Sequence, residues 1–374
     1  MIIRDEIHGT IEFNELEERI IDSDSFQRLR RVKQMSVTNL VYPGANHTRF
    51  EHSLGTAHLA WTIAGKLELE EDEARKIKLY GLLHDIGHTA FSHEGEDVLK
   101  KYLGDHEKRG SGMIKKGEIA DLLSENYRPS EIAELDKTNL GAIVTSDLGA
   151  DRMDYLKRDA LNTGVAYGII DIDRVVHTLA MENGEVCIEK GGLEAAEFLL
   201  VARFMMFSAV YMHKTVRIAT AMLYRAIEGS IEDGSLGAEQ FLELGDESAL
   251  ALMSESKKGG SYARALLGRR LYKEVYSFPR GEQNQATAEK LEKALCKKLG
   301  CDILVDYPHA FFKPVAFKVK TRDGLKPINR ISSLVQSLRE AEEERMKVLV
   351  LAEEEIRKRM AQRIRKEISN LLPC

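Results

Sequence analysis

The sequence carries an adjacent histidine and aspartate in the run His84-Asp85-Ile86-Gly87-His88. Apolar spacing before this run predicts a helix over 71–84, and Gly87 is typical of a helix end. Neighbouring helical residues diverge by about 100°, so both side chains reach one point only where the helix ends or where a metal lies between them. An imidazole beside a carboxylate suits a hard-to-borderline divalent ion. The pair therefore predicts half of a metal site.

Histidines concentrate around this pair. Eight of the eleven lie within residues 8–106, and the run Phe91-Ser92-His93-Glu94-Gly95-Glu96 follows directly. Two more ligands are needed, and the candidates are His52, at the start of a predicted helix over 52–67, and Asp151. An adjacent histidine and aspartate alone are more often two surface polar groups. The clustering is what favours a functional site.

Apolar periodicity over long proline-free stretches predicts a mainly α protein. Helices are predicted over 15–36, 52–67, 71–84, 193–228 and 331–371. Short strands are predicted over 303–307 and 315–319, and Asp323-Gly324 predicts a hairpin turn between 315–320 and 325–328. We expect two regions, a helical core over 1–228 and a C-terminal region over 229–374 with short strands and a long terminal helix.

Composition narrows the class of protein. Hydrophobic residues make up 43% and charged residues 30%, with a net charge of −6. Proteins that bind nucleic acid through broad electrostatic attraction are usually basic, so the negative net charge gives no support to a nucleic-acid-binding function. No apolar run reaches the roughly 18–20 residues of a membrane helix, and the start of the chain lacks a signal-peptide pattern. We expect a cytoplasmic protein without a membrane partner, whose four cysteines are unpaired thiols.

Several runs occur in the order found in one family: Phe26-Gln27-Arg28-Leu29-Arg30-Arg31-Val32-Lys33-Gln34, Tyr42-Pro43-Gly44-Ala45, Thr48-Arg49-Phe50-Glu51-His52-Ser53-Leu54-Gly55, Leu83-His84-Asp85-Ile86-Gly87-His88, Asp151-Arg152-Met153-Asp154-Tyr155-Leu156-Lys157-Arg158-Asp159 and Tyr211-Met212-His213-Lys214. Together they resemble the HD-domain phosphohydrolases, and within them the deoxynucleoside triphosphate triphosphohydrolases that include SAM- and HD-domain enzymes. The resemblance covers roughly residues 4–225 well, and we expect no SAM domain. It implies an HD-domain helical core followed by a small α+β region.

The resemblance implies a site around one divalent metal ion, which could be Mn, Fe, Mg, Co, Ni or Zn. The implied metal ligands are His52, His84, Asp85 and Asp151. The implied catalytic residues are His88, His93, Glu96 and His106. Within the second set, His93 and Glu96 match a histidine–carboxylate pair at i, i+3 spacing, which would fix the His93 tautomer and suit it to protonate a leaving oxygen. The alternative for His88 and His106 is a satisfied polar core residue.

The resemblance also implies residues for each part of a nucleotide. The residues implied to contact phosphate are Arg49, Arg152 and Arg203, and Tyr211 is implied to contact the base or the sugar. Gln34 and Asp159 match residues that bind the sugar 3′-hydroxyl. Tyr155, with Met35, matches the wall that crowds a 2′-hydroxyl and so rejects ribonucleotides. The alternative is that Tyr155 and Met35 only pack in the helical core.

Some relatives carry an activating guanine-nucleotide site at a subunit interface. Asp22, Gln27 and Arg30 match its guanine-reading residues, and Arg174, His213 and Lys214 match part of a second effector's set. Basic residues expected at other effector positions are absent, which leaves a purely structural interface as the alternative. The family habit favours a homo-oligomer, either a dimer or a tetramer, with GTP or dGTP as the effector.

The leading expectation is metal-dependent hydrolysis of deoxynucleoside triphosphates. Water would attack the α-phosphorus and release a deoxynucleoside and inorganic triphosphate. One alternative is an HD phosphohydrolase acting on another nucleotide, such as a monophosphate, a ribonucleotide or a cyclic species, since fold does not fix substrate. The other is a nucleotide-binding sensor with little catalysis.

Overall fold

The computed structural model describes residues 1–281, 284–308, 315 and 317–371. The chain forms two compact units. The first comprises 1–207, 237–249 and the described part of 314–336, and the second comprises 208–236 and the described parts of 250–313 and 337–374. Each unit takes segments from both sides of residue 228, and the predicted division at that point stays a prediction.

Helices dominate both units, which confirms the mainly α class. In chain order they are α1 (Glu15–Ile21), α2 (Asp24–Gln27), α3 (Arg49–Lys66), α4 (Glu71–Leu83), α5 (Ser92–Leu103), α6 (His106–Lys115), α7 (Glu118–Leu123), α8 (Pro129–Ala133), α9 (Ala142–Thr145), α10 (Ala150–Thr163), α11 (Ile172–Thr178), α12 (Leu193–Met206), α13 (Lys214–Glu232), α14 (Asp246–Met253), α15 (Gly260–Leu267), α16 (Gln285–Leu299), α17 (Ser333–Arg345) and α18 (Glu354–Leu371).

Short strands form three small sheets in the described residues. The strands are β1 (Ile2–Asp5), β2 (Gly9–Glu12), β3 (Leu179–Glu182), β4 (Glu185–Glu189), β5 (Lys273–Pro279), β6 (Leu304–Asp306), β7 (Lys318–Thr321), β8 (Gly324–Pro327) and β9 (Lys347–Ala352). β1 and β2 form a hairpin, and the first unit also holds a sheet of order β3-β4-β7-β8. The second unit holds a sheet of order β5-β9-β6, which packs with α16 and α18 in one apolar core.

The helices α3, α4 and α10 pack together at the centre of the first unit. Glu51 accepts the Thr48 backbone N–H and so caps the start of α3. Gly81 lets α4 approach α3 closely, because a Cβ there would lie 3.1 Å from the Ala60 side chain. Gly55 leaves room for the buried Asp154 side chain, which any Cβ at that position would strike. This close packing brings the ends of three helices to one place.

Several predicted helices are confirmed and others are interrupted. The helices predicted over 52–67 and 71–84 are α3 and α4. The one predicted over 15–36 is wrong in length, because Ser23 leaves the helical conformation and its hydroxyl caps α2. The one predicted over 193–228 breaks after α12 into a π-helical turn, Phe207–Tyr211, and His213 then caps α13.

The C-terminal predictions are mixed. The strand near 303–307 is confirmed as β6, and the hairpin at Asp323-Gly324 is confirmed as β7 and β8. Residue 316, within the strand predicted over 315–319, lies outside the described residues. The long helix predicted over 331–371 is wrong, because β9 divides it into α17 and α18. β9 is a run of valines and leucines buried between two antiparallel neighbours, and that burial outweighs the helical pattern around it.

Among the described residues, no single helix is long and apolar enough to cross a membrane, although the bent pair Lys190–Tyr211 and Lys214–Glu232 passes on length and composition alone. Cys187, Cys296 and Cys301 are free thiols, as predicted, and Cys374 lies outside the described residues.

Candidate active site

The four predicted metal ligands lie close together where α3 packs against α4 and α10. His52 Nε2 lies 3.1 Å from Asp151 Oδ1 and 3.6 Å from Asp85 Oδ2. His84 Nε2 lies 3.4 Å from Asp85 Oδ1 and 3.8 Å from Asp151 Oδ1. The ligand atoms of His52, His84 and Asp85 all lie within 4.8 Å of one another, and Asp151 lies beside the two imidazole nitrogens, although the helices that carry these residues are far apart in sequence.

Hydrogen bonds fix which nitrogen each imidazole presents. His52 Nδ1 donates to Asp154 Oδ2 at 2.8 Å, and His84 Nδ1 donates to the Gly81 carbonyl at 2.8 Å. Both acceptors can only accept, so each Nδ1 carries a proton, and in the neutral form that binds a metal each ring presents a bare Nε2. Both Nε2 atoms are buried, and neither has a hydrogen-bond partner among the described residues. This is the arrangement that metal-binding histidines adopt, and these residues fit a divalent ion.

The electrostatics of this point also favour a cation. Burial lowers the pKa of His52, but the carboxylates of Asp151, Asp154 and Asp85 outweigh it and raise that pKa to about 10. Burial likewise opposes the charge on Asp85, yet Arg49 and the neighbouring imidazoles hold the pKa of this carboxyl well below its usual range. The shift of His52 shows that the carboxylates stabilise positive charge at this ring, and the shift of Asp85 shows that this carboxyl stays ionised and so available as an anionic ligand.

The predicted catalytic histidines form a second cluster beside the first. The His88 and His106 rings stack with centroids 4.0 Å apart, and His93 meets both rings edge-on at 4.7 and 5.1 Å. His88 Nε2 lies 3.3 Å from Asp85 Oδ1, which links the clusters. His88 is fully buried, and within the described part of the chain neither of its ring nitrogens has a hydrogen-bond partner. Both the catalytic role and the satisfied core role of His88 stay predictions.

Glu96 corrects one sequence prediction. Its Oε2 accepts from His106 Nδ1 at 2.7 Å and from the His106 backbone N–H at 3.0 Å. In the described structure the carboxylate therefore orients His106 rather than His93. The i, i+3 spacing on α5 is as predicted, but α6 begins at His106 and brings that ring closer to the carboxylate.

Two of the predicted phosphate-binding arginines meet at one carboxylate. Asp147 pairs with Arg152, and its Oδ1 lies 3.4 Å from Arg203 Nη1. Arg49 instead reaches the metal ligands, since its Nη1 donates to Asp85 Oδ2 at 2.6 Å. Ion pairs thus hold three guanidinium groups of the first unit in defined positions. The chain therefore places positive charge at these positions although its net charge is −6.

The predicted sugar-contacting residues also come together. His47 Nε2 lies 2.8 Å from Asp159 Oδ1, and the His47 carbonyl accepts the Gln34 backbone N–H at 3.0 Å. The Gln34 side-chain oxygen is buried and makes no hydrogen bond. The Tyr155 ring lies edge-on to His52, with centroids 6.5 Å apart. Gln34 and Asp159 therefore both hydrogen-bond to His47, and the Tyr155 ring lies next to the predicted metal ligand His52.

Comparison with known proteins agrees with this geometry. The HD domain family model matches residues 49–159, and the model of the HD associated region matches residues 170–371. The chain belongs to the HD-domain phosphohydrolase superfamily. The fold and the metal-binding character expected of an HD core are thereby confirmed.

The chain is also similar to three known proteins over much of its length. It is 37% identical over 391 residues to an uncharacterised protein of Methanocaldococcus jannaschii, across 99% of this chain and 83% of that protein. It is 30% identical over 274 residues to the deoxynucleoside triphosphate triphosphohydrolase SAMHD1 homolog of Dictyostelium discoideum, across 66% of this chain and 51% of that protein. The crystal structure of a hypothetical protein from Aquifex aeolicus matches with a TM-score of 0.81 at 30% identity, across 98% of this chain and 99% of that one.

The predicted effector residues of this HD protein are only partly brought together. Arg30 Nε donates to Gln27 Oε1 at 2.8 Å, while Asp22 lies exposed at the end of α1. Arg174 is exposed and donates to the Gly191 carbonyl at 2.6 Å.

Three predicted residues belong to the second unit. His213 caps α13, Lys214 pairs with Glu274 at 3.2 Å, and Tyr211 ends the π-helical turn. Their roles in effector or substrate binding stay predictions.

Sequence reasoning missed the residues that hold the HD core's ligands in place. Asp154 is fully buried and contacts His52, His8 and Arg158 at 2.7–2.9 Å. Arg28 donates from its two terminal nitrogens to the carbonyls of His88 and Ile86, which fixes the turn after the adjacent pair. The i, i+4 spacing of Asp154 and Arg158 could have indicated their pairing.

Proposed function

We propose that this chain hydrolyses deoxynucleoside triphosphates to deoxynucleosides and inorganic triphosphate with a divalent metal ion. The observation that carries the proposal is the pair of bare, buried Nε2 atoms facing two carboxylates, directly beside a cluster of three histidines. The similarity to the Dictyostelium deoxynucleoside triphosphate triphosphohydrolase homolog supports this substrate class.

The metal would be held by His52, His84, Asp85 and Asp151. When bound, it supplies Lewis-acid polarisation of a phosphate oxygen and a water that is more nucleophilic at neutral pH. The protein fixes the ligand geometry through Asp154 and the Gly81 carbonyl, which hold the two imidazoles in one tautomer.

Three arginines would bind and polarise the polyphosphate. Asp147 holds Arg152 and Arg203 near one another before substrate arrives, so little reorganisation is needed when charge develops. Arg49 already pairs with Asp85, which places a third cation beside the predicted metal position. Charge-assisted bonds from guanidinium groups are well suited to phosphate oxygens.

We assign protonation of the departing 5′-oxygen to the His106–Glu96 pair. Glu96 accepts from His106 Nδ1 at 2.7 Å, which orients the ring so that Nε2 is the nitrogen that would donate the proton. His93 and His88 lie against this ring and would contact the phosphates. The pair would thus take the role that the family resemblance implies for His93 and Glu96.

Tyr155 is proposed to reject ribonucleotides by occupying the space of a 2′-hydroxyl. Replacing Tyr155 by Ala is expected to lower the preference for dNTP over NTP, measured as the ratio of kcat/KM values, by about tenfold or more. Tyr102→Ala is the control, since that tyrosine is 49% exposed. An unchanged ratio in Tyr155→Ala would show that the ring does not select the sugar.

A guanine-nucleotide effector is proposed to bind at Gln27 and Arg30 in an oligomer of this chain. Arg30→Ala is expected to reduce any GTP-dependent rate increase at least about fivefold, because a coupling of 1 kcal/mol already has that size. Arg128→Ala, at an exposed arginine, is the control. Stimulation by GTP that survives Arg30→Ala would rule out this residue as an effector contact.

A nucleotide screen tests the proposed function. The purified chain is incubated with Mn²⁺ or Mg²⁺ and each dNTP or NTP, with and without GTP, and products are separated by chromatography. The proposal expects a deoxynucleoside and triphosphate. Orthophosphate released only from a monophosphate would favour another HD phosphohydrolase activity, and nucleotide bound without turnover would favour a sensor.

A further inference from the structure

Asp246 is a buried carboxylate outside the HD domain match, and the proposed chemistry does not use it. It begins α14, within the matched HD-associated region, and is 5% exposed. Its Oδ1 accepts the Phe91 backbone N–H at 2.8 Å, and its Oδ2 accepts the Lys33 backbone N–H at 3.3 Å. Asp246 therefore joins two segments that are more than 50 residues apart in the sequence.

The Phe91 bond holds an unusual turn. Phe91 and Ser92 have φ angles of 66° and 51°, so two successive non-glycine residues adopt the left-handed conformation. Such residues persist only where the surrounding structure determines them. The Ala90 backbone N–H also donates to the Phe241 carbonyl at 3.2 Å, from the same segment that carries Asp246. The turn connects His88 to α5.

Hydrogen bonds connect the turn to a predicted metal ligand. Ser92 Oγ donates to the Lys33 carbonyl at 2.6 Å and accepts from Arg49 Nε at 3.0 Å. Arg49 Nη1 in turn donates to Asp85 Oδ2 at 2.6 Å. A continuous series of hydrogen bonds therefore runs from the turn to the carboxylate of the adjacent histidine–aspartate pair.

We propose that Asp246 is a positioning residue for hydrolysis, which holds the left-handed Phe91–Ser92 turn and thereby places Arg49 and the helix carrying His93. The HD-associated region then contributes to the active site through this carboxylate without touching substrate. The kinetic part of the inference rests on the proposed function, whereas the structural part does not.

Asp246→Asn tests the proposal with little change in shape. An asparagine has one side-chain oxygen, so it cannot accept from both backbone N–H groups, and its amide would face one of them with a donor. We expect kcat to fall about 10–100-fold, because small misplacements of catalytic groups have effects of that size. Bound metal should stay at the wild-type level, and backbone amides within 88–99 should exchange with deuterium faster.

Glu247→Gln is the matched control. Glu247 is the next carboxylate on α14, its side chain is 89% exposed, and its Oε1 lies 3.6 Å from Lys33 Nζ. This variant should keep the wild-type kcat and the wild-type exchange over 88–99. An Asp246→Asn protein that matches this control in both measurements overturns the proposal.

Ser92→Ala provides a second route if Asp246→Asn does not fold. It removes the hydroxyl between Lys33 and Arg49 and should also lower kcat, by about tenfold. Where both variants fold, the fold-reduction of kcat in the double variant should be smaller than the product of the two single fold-reductions, because both substitutions act through one turn. An unchanged kcat in Ser92→Ala overturns the proposal. If the wild-type chain hydrolyses no nucleotide, the proposed function fails, and the exchange comparison alone decides whether Asp246 holds the turn.

Discussion

Replacing Asp85 by Asn is expected to abolish metal binding and to lower kcat at least about 10³-fold, because the metal supplies several kcal/mol of transition-state stabilisation. Asp85 lies 3.4 Å from His84 Nε2 and 3.6 Å from His52 Nε2. Asparagine keeps the shape but removes the negative charge that a divalent ion requires. Metal content of the purified protein and single-turnover kinetics measure the two effects.

Asp85 also has a structural partner, which the experiment must separate from metal loss. It pairs with Arg49, and both side chains are buried. Breaking a buried pair costs about 3–5 kcal/mol, so thermal unfolding is followed in parallel. Asp72→Asn is the control, because this exposed aspartate near the start of α4 forms an ion pair with Lys76 of the same helix and contacts no predicted metal ligand in the described structure. A folded Asp85→Asn protein with full metal content would contradict the assignment of this ligand.

Replacing Asp154 by Asn is expected to reduce the free energy of unfolding by about 3–5 kcal/mol, since it breaks a buried ion pair with Arg158, which keeps Asp5 as its other buried partner. Asp154 bonds Arg158 twice, both at 2.9 Å, and neither side chain is accessible to solvent. It also fixes the His52 tautomer, so metal affinity should fall about 10–100-fold. Urea unfolding of the metal-free protein and metal titration measure the two losses.

The pH dependence of unfolding provides an independent check on Asp154. Burial opposes its charge, but Arg158 and the His52 and His8 rings outweigh burial and hold the pKa of this carboxyl well below its usual range. A depressed pKa stabilises the fold above the unfolded value of about 3.9, and this contribution is lost as the pH falls toward the folded value. Asp154→Asn should therefore flatten the loss of stability below about pH 4, whereas Asp173→Asn, at an exposed site, should not.

The sequence was sufficient for features that depend on local spacing. The adjacent histidine and aspartate ended a helix as predicted, because apolar periodicity over 71–84 is long and regular. His52 and Asp151 could be chosen as ligands only through the family resemblance, since the packing of α3 against α4 and α10 is not contained in any local pattern. The hairpin at Asp323-Gly324 followed from turn chemistry alone.

The features that could not be predicted from the sequence depend on which of several possible partners a residue or segment contacts in the folded chain. Glu96 has two histidines within reach, and the start of α6 decides in favour of His106. The buried strand β9 lies in a segment with helical neighbours, and only its pairing with β5 and β6 makes it a strand. Asp246 is separated from the turn it holds by 155 residues, so no spacing rule could reveal the contact.

The measurement that tests the central claim most directly follows the oxygen of the attacking water. The metal-loaded chain is given a dNTP in ¹⁸O-labelled water, and the products are analysed by mass spectrometry, with Asp85→Asn as the inactive control. Attack at the α-phosphorus predicts one ¹⁸O atom in the triphosphate and none in the deoxynucleoside. A deoxynucleoside monophosphate with pyrophosphate, or no labelled triphosphate at all, would contradict the account.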